Sequence, residues 1–392
     1  MNYEKSVRKT SIKEIYTSIS YLNYLKEFIR MNIALFSIIS LDCFKEATTL
    51  TLLNTAKELK ALNHIVMIIA EKKGDLPMFE EIEGVPVYRL YSYGKIFSHG
   101  LALRKIQKNL GLKFDVIHSF SATPLFLLSS LFAKIFAPKA KIIHSLKSYS
   151  RKKLDKILYP LLNLARYATV PSKTFKMKLK LVPEKKIFLL YSPINVQKFY
   201  PQNKSALKKK HGYQNKKVVF YYGSFHNHKG VDNLLKAIPF LTNEMDDVLV
   251  ILAPRYDYIP KEREMAKELG IEKHVEFKVD DIQIEEFVNL ADVVVLPYNS
   301  LIATDGNPSC IIEAMACKTP VITAELQEIK ELFDDCVFMT NVKNNINLAQ
   351  TIKSVCLSDN TDIIERAYQR SKQFAGQQIA ADLKKIYQEA VQ

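Results

Sequence analysis

Several residue types and patterns are scarce in this chain of 392 residues, which has no tryptophan and only 11 glycines. No uninterrupted apolar run reaches about 18 residues, the length that spans a bilayer as a helix. The first residues contain no apolar segment of the kind found in secretory signals. The five cysteines form no CxxC pair, which argues against a zinc site or a disulfide framework and favours reduced thiols in the cytoplasm.

What is present is the composition of an ordinary folded protein. Hydrophobic residues make up 48% and charged residues 25% of the chain, so wholesale disorder is excluded. The length exceeds that of one typical domain, and two domains of about 150–200 residues are the first expectation.

Positive charge is concentrated in one part of the chain. The net charge is +15, and residues 101–200 alone carry 20 basic and 3 acidic side chains. Such a region attracts anionic lipid head groups, nucleic acid or phosphorylated substrates, and a solvated lysine-rich surface is the plain alternative. No nucleic-acid-binding motif accompanies the charge, so nucleic acid is not expected as a partner. Apolar residues between the lysines favour an anionic membrane surface; they are Phe126, Leu127, Leu128, Phe132, Ile135, Phe136, Tyr149, Ile157, Leu158 and Tyr159.

Residues 1–30 are predicted to form a separate amphipathic helix, because Ile12, Ile15, Ile19 and Leu22 recur at helical spacing. The sequence leaves open whether this helix packs on its own domain, pairs with another subunit or rests on a membrane. Packing on its own domain is the most ordinary of the three.

From residue 31 onward, apolar strands alternate with helical patterns. Predicted strands of the first half are 32–39, 65–70, 85–90, 114–118, 141–144 and 168–170, and those of the second half are 218–222, 248–252, 275–277, 293–296 and 321–322. This alternation is typical of parallel sheets with helices on both faces. We therefore predict an N-terminal extension (1–30), a first doubly wound domain (31–197), a linker (198–215), a second doubly wound domain (216–375) and a C-terminal helix (376–392). Ligands of such folds bind at the carboxyl ends of the strands.

A first motif follows the first strand of the second domain. Gly223 ends the strand and Gly230 precedes a helix, with Lys229 between them. Glycines let the backbone approach a phosphate, while the lysine and the helix N-terminus supply positive charge. An ordinary strand-to-helix turn with a solvated lysine explains the same residues equally well.

Another motif contains two acids, Asp305 and Glu313. Asn307 and Pro308 predict a turn before a helix, with Glu313 about one turn inside it. There Glu313 can accept hydrogen bonds from ribose hydroxyls, Asp305 can reach a sugar, and free backbone N–H groups face the same space. A helix cap with a buried, paired acid is the alternative.

These motifs, in this order, resemble the C-terminal domain of family 4 glycosyltransferases, which have the GT-B fold. The residues that carry the resemblance are Gly223, Lys229-Gly230-Val231-Asp232, Ala291-Asp292, Leu296-Pro297, Asp305-Gly306, Glu313-Ala314-Met315-Ala316-Cys317 and Pro320-Val321. The resemblance implies two Rossmann-like domains facing a cleft, and transfer of a hexosyl group from a UDP- or GDP-hexose to an acceptor hydroxyl. It also implies retention at the anomeric carbon, no metal, and no cofactor besides the nucleotide-sugar substrate.

The resemblance further implies roles for individual residues. Lys229 would hold the diphosphate and Asp305 the donor-sugar hydroxyls, and these two are the predicted catalytic residues. Predicted donor-binding residues are Gly223, Ser224, Lys229, Gly306, Asn307, Pro308, Ser309 and Glu313, and predicted acceptor-side residues are His118, His144 and Lys147. With the basic first domain, the implied acceptor is a lipid-linked glycan or polysaccharide intermediate at the inner face of the membrane.

Departures from the family pattern leave other functions open. The family's arginine beside the lysine is Ser224 here, and loss of such a charge-assisted contact costs about 1.5–3 kcal/mol. His226, His228 and Arg255 are candidates to replace it, but the sequence does not place them. Lys318 also stands where the family has glycine. A GT-B protein that binds a sugar nucleotide or a partner without turnover is therefore the alternative, and a nucleic-acid-binding protein is a lesser one.

Overall fold

The structure is a computed structural model that describes residues 30–41, 47–90, 96–148, 153–256, 258–280, 282–302 and 306–392. The helix predicted for residues 1–30 lies outside these ranges except for Arg30. The described residues form two α/β domains, each built around one sheet.

The first sheet contains eight strands. They are β1 (Asn32–Ser37), β2 (Ile65–Glu71), β3 (Phe79–Ile82), β4 (Val85–Leu90), β5 (Val116–Ser121), β6 (Lys141–Leu146), β7 (Tyr167–Val170) and β8 (Ile187–Leu189). Their order is β3-β4-β2-β1-β5-β6-β7-β8, with β3 antiparallel to β4 and the other described pairs parallel. The central strands are continuously apolar because both faces of the sheet are covered.

The second sheet contains six strands. They are β9 (Lys217–Gly223), β10 (Val248–Pro254), β11 (Val275–Phe277), β12 (Val293–Leu296), β13 (Val321–Ala324) and β14 (Phe338–Thr340). Their order is β11-β10-β9-β12-β13-β14, and the described pairs are all parallel. The predicted strands of this domain correspond to β9 to β13.

Helices connect the strands and cover both sheets. They are α1 (Ala47–Ala61), α2 (Ser98–Leu110), α3 (Leu127–Ala133), α4 (Lys153–Ile157), α5 (Lys173–Lys178), α6 (Lys204–His211), α7 (Val231–Thr242), α8 (Pro260–Glu268), α9 (Ile284–Leu290), α10 (Ser309–Ala316), α11 (Gln327–Phe333), α12 (Asn345–Leu357), α13 (Thr361–Ser371) and α14 (Gly376–Val391). Each βα connection leaves the carboxyl end of a strand, where ligands of such sheets bind.

Part of the predicted linker is helical. Residues Lys204–His211 form α6, whose N-cap Asn203 accepts a hydrogen bond from the N–H of Ala206 and whose C-cap Gly212 is left-handed. Leu207 is buried in the core of the second domain. The many lysines of this segment favoured a linker, although Asn203 and Gly212 are residue types that are common at the two ends of a helix.

The last helix, α14, returns to the first domain. Ile379, Leu383 and Tyr387 are buried in the core that β1, β2 and α1 also form. The hydroxyl of Tyr387 lies 2.6 Å from Nδ1 of His118 on β5. The chain therefore crosses between the domains twice.

A carboxylate of the second domain caps a helix of the first. Glu331 on α11 accepts hydrogen bonds from the backbone N–H of Lys173 (2.6 Å) and Thr174 (2.7 Å) and from the Thr174 hydroxyl (2.7 Å). These donors belong to the first turn of α5, where unpaired N–H groups favour an anion. The contact joins the two domains beside the carboxyl end of β7.

Candidate functional site

The loop between β9 and α7 is held tightly at the carboxyl end of its sheet. Ser224 is buried, and its carbonyl accepts a hydrogen bond from the Tyr221 hydroxyl (2.7 Å). Gly230 has φ +74°, and a Cβ there would lie 1.8 Å from the Pro297 carbonyl oxygen. Only glycine fits this position, because both the conformation and the contact exclude a side chain.

Lys229 lies in this loop, in a short 3-10 turn that precedes Gly230. Its ammonium is 4.9 Å from the centroid of the Tyr298 ring. Tyr298 is buried and follows β12 by two residues. The Tyr298 ring, just after β12, therefore makes a cation–π contact that holds the lysine at the carboxyl end of the sheet.

Glu313 lies on α10 and is partly buried. The Tyr222 hydroxyl is 2.9 Å from Glu313 Oε2 and 3.0 Å from the Cys310 carbonyl oxygen. Burial raises the pKa of Glu313 to about 7, against the opposing effects of the Tyr222 hydrogen bond and of the charges on Lys198 and Arg255. The carboxyl therefore changes protonation near neutral pH, and its ionised form is an acceptor for hydroxyl groups.

The charges of Lys229 and Glu313 both affect the thiol of Cys310, in the first turn of α10. Burial raises the pKa of the Cys310 thiol to about 12; the Glu313 charge raises it further, whereas Lys229 and Arg255 lower it. The charges of Lys229, Arg255 and Glu313 are therefore all close enough to affect the Cys310 thiol. Asp305, the third predicted member of the site, lies outside the described residues.

The segment before α10 touches the first domain. The N–H of Gly306 donates to the Lys147 carbonyl (3.3 Å), and a Cβ at Gly306 would lie 2.4 Å from Cγ of Pro171. The Ser192 N–H donates to Oδ1 of Asn307 (3.2 Å). Among the described residues, the buried Nδ2 of Asn307 has no hydrogen-bond partner. The predicted donor-binding turn therefore lies at the boundary between the domains.

Pro308 and Ser309 complete this turn. Pro308 is buried and serves as the N-cap residue of α10, in an extended conformation. Ser309 is the first helical residue and is partly exposed. The backbone N–H groups of this first turn face the boundary between the domains without a side-chain cap from residue 308.

Two of the three predicted acceptor-side residues belong to the core. His118 on β5 and His144 on β6 are fully buried. The ring nitrogens of His118 contact the Tyr387 hydroxyl and the Ser145 hydroxyl (2.7 Å), and Nδ1 of His144 contacts the Ser119 hydroxyl (2.7 Å). Burial lowers the pKa of His118 well below its usual value and that of His144 to about 4. The prediction that these two histidines face an acceptor is therefore corrected.

Lys147, the third of these residues, follows β6 and is almost fully buried. Its ammonium is 5.6 Å from the centroid of the Phe120 ring, and its carbonyl accepts the Gly306 hydrogen bond described above. It lies at the boundary between the domains, opposite the N-terminus of α10.

The sequence did not indicate a role for Tyr222, and it did not place Arg255, His226 or His228, the candidates to replace the family's arginine. Tyr222 was part of an apolar strand, and its contact with Glu313 joins residues 91 positions apart. Arg255 directly follows β10, so the rule that ligands bind at the carboxyl ends of strands was the available signal. The stacked rings of His226 and His228, whose centroids are 5.6 Å apart, lie in the same loop as Lys229.

A groove of about 790 Å³ runs along α5 and β8 of the first domain. Lys173, Lys176 and Lys180 line it together with Glu184, which is paired with Lys176 (3.0 Å). The remaining lining is apolar and includes Met177 and Leu181, which are 67% and 73% exposed. Lys173 is also the residue whose N–H contacts Glu331 of the second domain. One end of the groove therefore lies beside the boundary between the domains.

The ten apolar residues predicted for a membrane surface differ in exposure: Leu128, Phe132, Phe136 and Leu158 are partly buried, and Tyr149 lies outside the described residues. Phe126, Leu127 and Tyr159 are buried, so that part of the prediction is wrong, whereas Ile135 and Ile157 are largely exposed. Within the described ranges, no helix is both long enough and apolar enough to span a bilayer. Nor do three or more His, Cys, Asp or Glu side chains of that part of the chain gather as metal ligands would.

Comparison with protein families gives two consecutive matches. Residues 49–198 match the model for "Glycosyltransferase Family 4", and residues 203–372 match the model for "Glycosyl transferases group 1". An uncharacterised glycosyltransferase of Methanocaldococcus jannaschii is 26% identical over 287 residues, which are 66% of this chain and 71% of the relative. A GDP-mannose-dependent α-(1-6)-phosphatidylinositol monomannoside mannosyltransferase of Mycolicibacterium smegmatis is 27% identical over 128 residues, 31% of this chain and 33% of that protein.

Solved structures share the whole arrangement of two domains. HepE of Anabaena, in complex with UDP and glucose, has a TM-score of 0.72 at 19% identity and covers 91% of this chain and 99% of its own. A glycosyltransferase of Rickettsia africae has a TM-score of 0.76 at 19% identity, over 93% and 100% of the two chains.

Proposed function

Because this chain belongs to the family 4-like, group 1 glycosyltransferases and has the GT-B fold predicted from its sequence, we propose that it transfers a hexosyl group from UDP or GDP to a hydroxyl of a lipid-linked glycan or polysaccharide intermediate. The proposed transfer retains the anomeric configuration and needs no metal. The observation that carries it is that Lys229 and Glu313 lie at the carboxyl ends of two adjacent strands: the Lys229 ammonium lies over Tyr298, just after β12, and Glu313 contacts Tyr222, near the end of β9.

The chemistry requires a group that stabilises the departing nucleoside diphosphate. In this proposal the Lys229 ammonium, which lies over the Tyr298 ring, and the N–H groups of the first turn of α10 supply the positive charge, so no metal ion is required. Glu313, when ionised, accepts hydrogen bonds from the ribose hydroxyls. In this proposal Asp305 holds hydroxyls of the donor sugar.

The relatives support the donor class. HepE was solved with UDP, with UDP and glucose, and with UDP-glucose, and the mycobacterial relative is named for GDP-mannose. Retention is proposed from the resemblance to family 4 glycosyltransferases. Lys147, on the acceptor side of this boundary, is the remaining polar candidate for contact with the acceptor.

The groove along α5 supports a lipid-linked acceptor. Its lysines attract a phosphate or an anionic head group, and its exposed Met177 and Leu181 offer apolar contacts to a lipid chain. Because one end of the groove lies beside the boundary between the domains, a lipid placed there brings its glycan toward the donor. We therefore place the protein in the cytoplasm, on the inner face of the membrane.

A panel of UDP- and GDP-hexoses, tested with native lipid extract as acceptor, measures the proposed activity. We expect transfer with at least one donor, and a loss of about 100-fold or more in Lys229→Ala. Lys236→Ala, an exposed lysine on the adjacent α7, is the matched control and should keep full activity. Donor binding without any product in the wild type would favour the alternative, a GT-B protein without turnover.

Sedimentation with lipid vesicles tests the groove separately. The variant Met177→Gln/Leu181→Gln should lose binding to vesicles containing anionic lipid. Ile346→Gln/Leu357→Gln changes two exposed apolar residues of the second domain and should bind as the wild type does. Equal binding by both variants would contradict the lipid role of the groove and leave donor transfer untouched.

A further inference from the structure

The chain lacks the arginine that the family places beside its conserved lysine. Ser224 occupies that position, and its side chain is 4% exposed. A serine hydroxyl carries no charge, so Lys229 alone would face the two phosphates from this loop. The neighbouring strand β10, however, is followed directly by an arginine at the same edge of the sheet.

Strand pairing places Arg255 beside Gly223. β9 and β10 are parallel, and Pro254 is paired with Gly223. The N–H of Arg255 donates to the Gly223 carbonyl (2.9 Å). Arg255 therefore leaves the sheet directly beside the residue that precedes Ser224, at the edge where Lys229 lies.

The charge of Arg255 reaches the N-terminal part of α10. It lowers the pKa of Glu313 and, together with Lys229, that of the Cys310 thiol. Arg255 is only partly buried, and among the described residues its guanidinium has no hydrogen-bond or ion-pair partner. The charge of Arg255 therefore acts on the N-terminal part of α10, the same part of the molecule on which the charge of Lys229 acts.

We propose that Arg255 is the second diphosphate-binding cation of this enzyme and replaces, from the end of β10, the arginine absent at position 224. This inference rests on the proposed function, because it requires a nucleoside diphosphate as the leaving group. A guanidinium is suited to the task, because its planar N–H donors bind two phosphate oxygens at once. In this proposal the positive charge that is missing at position 224 is supplied by Arg255, so the serine at position 224 does not indicate a loss of activity.

Titration calorimetry of the full chain with UDP, GDP, UMP and GMP tests the assignment. A residue that contacts the diphosphate affects diphosphates more than monophosphates. In Arg255→Ala we expect the Kd of the diphosphate that the wild type binds to rise about 10- to 100-fold, with a change of less than about three-fold for the matching monophosphate. Arg255→Lys keeps the charge without the planar fork and should give an intermediate value.

Arg263→Ala is the matched control. Arg263 is exposed on α8, the next helix in the chain, and its guanidinium lies 5.1 Å from the Phe277 ring centroid. This variant should bind every nucleotide as the wild type does. Melting temperatures of all variants establish that they are folded.

The outcomes separate the two proposals. If the wild type binds a diphosphate and Arg255→Ala binds it equally well, the assignment of Arg255 is overturned and the transferase proposal stands. Equal weakening of diphosphate and monophosphate in Arg255→Ala overturns the assignment as well. If the wild type binds neither UDP nor GDP, both proposals are overturned.

Discussion

Replacing Glu313 by glutamine should change how the stability of the protein depends on pH. Glutamine has nearly the same shape, and its carbonyl oxygen can still accept the hydrogen bond from Tyr222. The substitution replaces the ionisable carboxyl group by an amide that does not titrate. Any difference between the two proteins that varies with pH then reports the protonation of Glu313.

The magnitude follows from the raised pKa. Burial lifts the pKa of Glu313 from 4.5 to about 7. Between these values the unfolded chain has released the proton while the folded protein still holds it, so stability falls as pH rises. The loss is about 1.4 kcal/mol per pH unit, or about 3 kcal/mol in total. It is absent below pH 4.5 and complete above pH 7.

Urea unfolding of both proteins at pH 4.5 and at pH 8 measures this difference. We expect the free energy of unfolding of Glu313→Gln, relative to the wild type, to increase by about 3 kcal/mol between the two pH values. Other titrating groups are common to both proteins and cancel in the comparison. A relative free energy that stays constant within about 0.5 kcal/mol would show that Glu313 is not held in a desolvated environment.

Three further predictions concern the frame around the site. Gly230→Ala should lower the free energy of unfolding by more than about 2 kcal/mol. Gly212→Ala is the control, because Gly212 also has a positive φ but a Cβ there would have nothing within 4 Å, and it should cost only about 1 kcal/mol. Equal losses in urea unfolding would contradict the clash expected at Gly230. Glu331→Gln should lower the free energy of unfolding by about 1–3 kcal/mol, because the N-terminus of α5 loses a charged acceptor. Unchanged stability, together with an unchanged orientation of the second domain in small-angle scattering, would refute this role of Glu331. Tyr387→Phe should cost about 1–3 kcal/mol, because Nδ1 of His118 loses its partner. Thermal unfolding measures this cost, and a variant at least as stable as the wild type would disprove that the contact matters.

Features that depend on residues close together in the chain could be predicted from the sequence. The apolar strands of the second domain predicted its sheet, and the glycine-lysine loop and the helix with its acid predicted the neighbourhood of Lys229 and Glu313. Both signals depend on residues close together in the chain. The same holds for the two doubly wound domains, which follow from strand–helix alternation repeated in two halves, whereas the GT-B fold was implied by the resemblance to family 4 glycosyltransferases.

Contacts between distant residues explain what could not be predicted. The two buried histidines looked like exposed candidates because a histidine in an apolar strand is compatible with either face. His118 is fixed by Tyr387, 269 residues away. Lys318 stands in a left-handed conformation (φ +57°) that glycine would adopt more readily, and its ammonium is paired with Glu365 (2.6 Å). That departure lies at the C-terminal end of α10 and concerns the backbone, not the donor site.

The return of α14 to the first domain reverses the order in which the two halves can mature on the ribosome. The eight strands of the first sheet are synthesised early, but Leu383 and Tyr387 complete the core beside them only when the last helix emerges. Until then one apolar side of α1 stays uncovered. The later-made half has a contiguous core and can close first, so nascent chains that stall near residue 370 would expose apolar surface on the half made first.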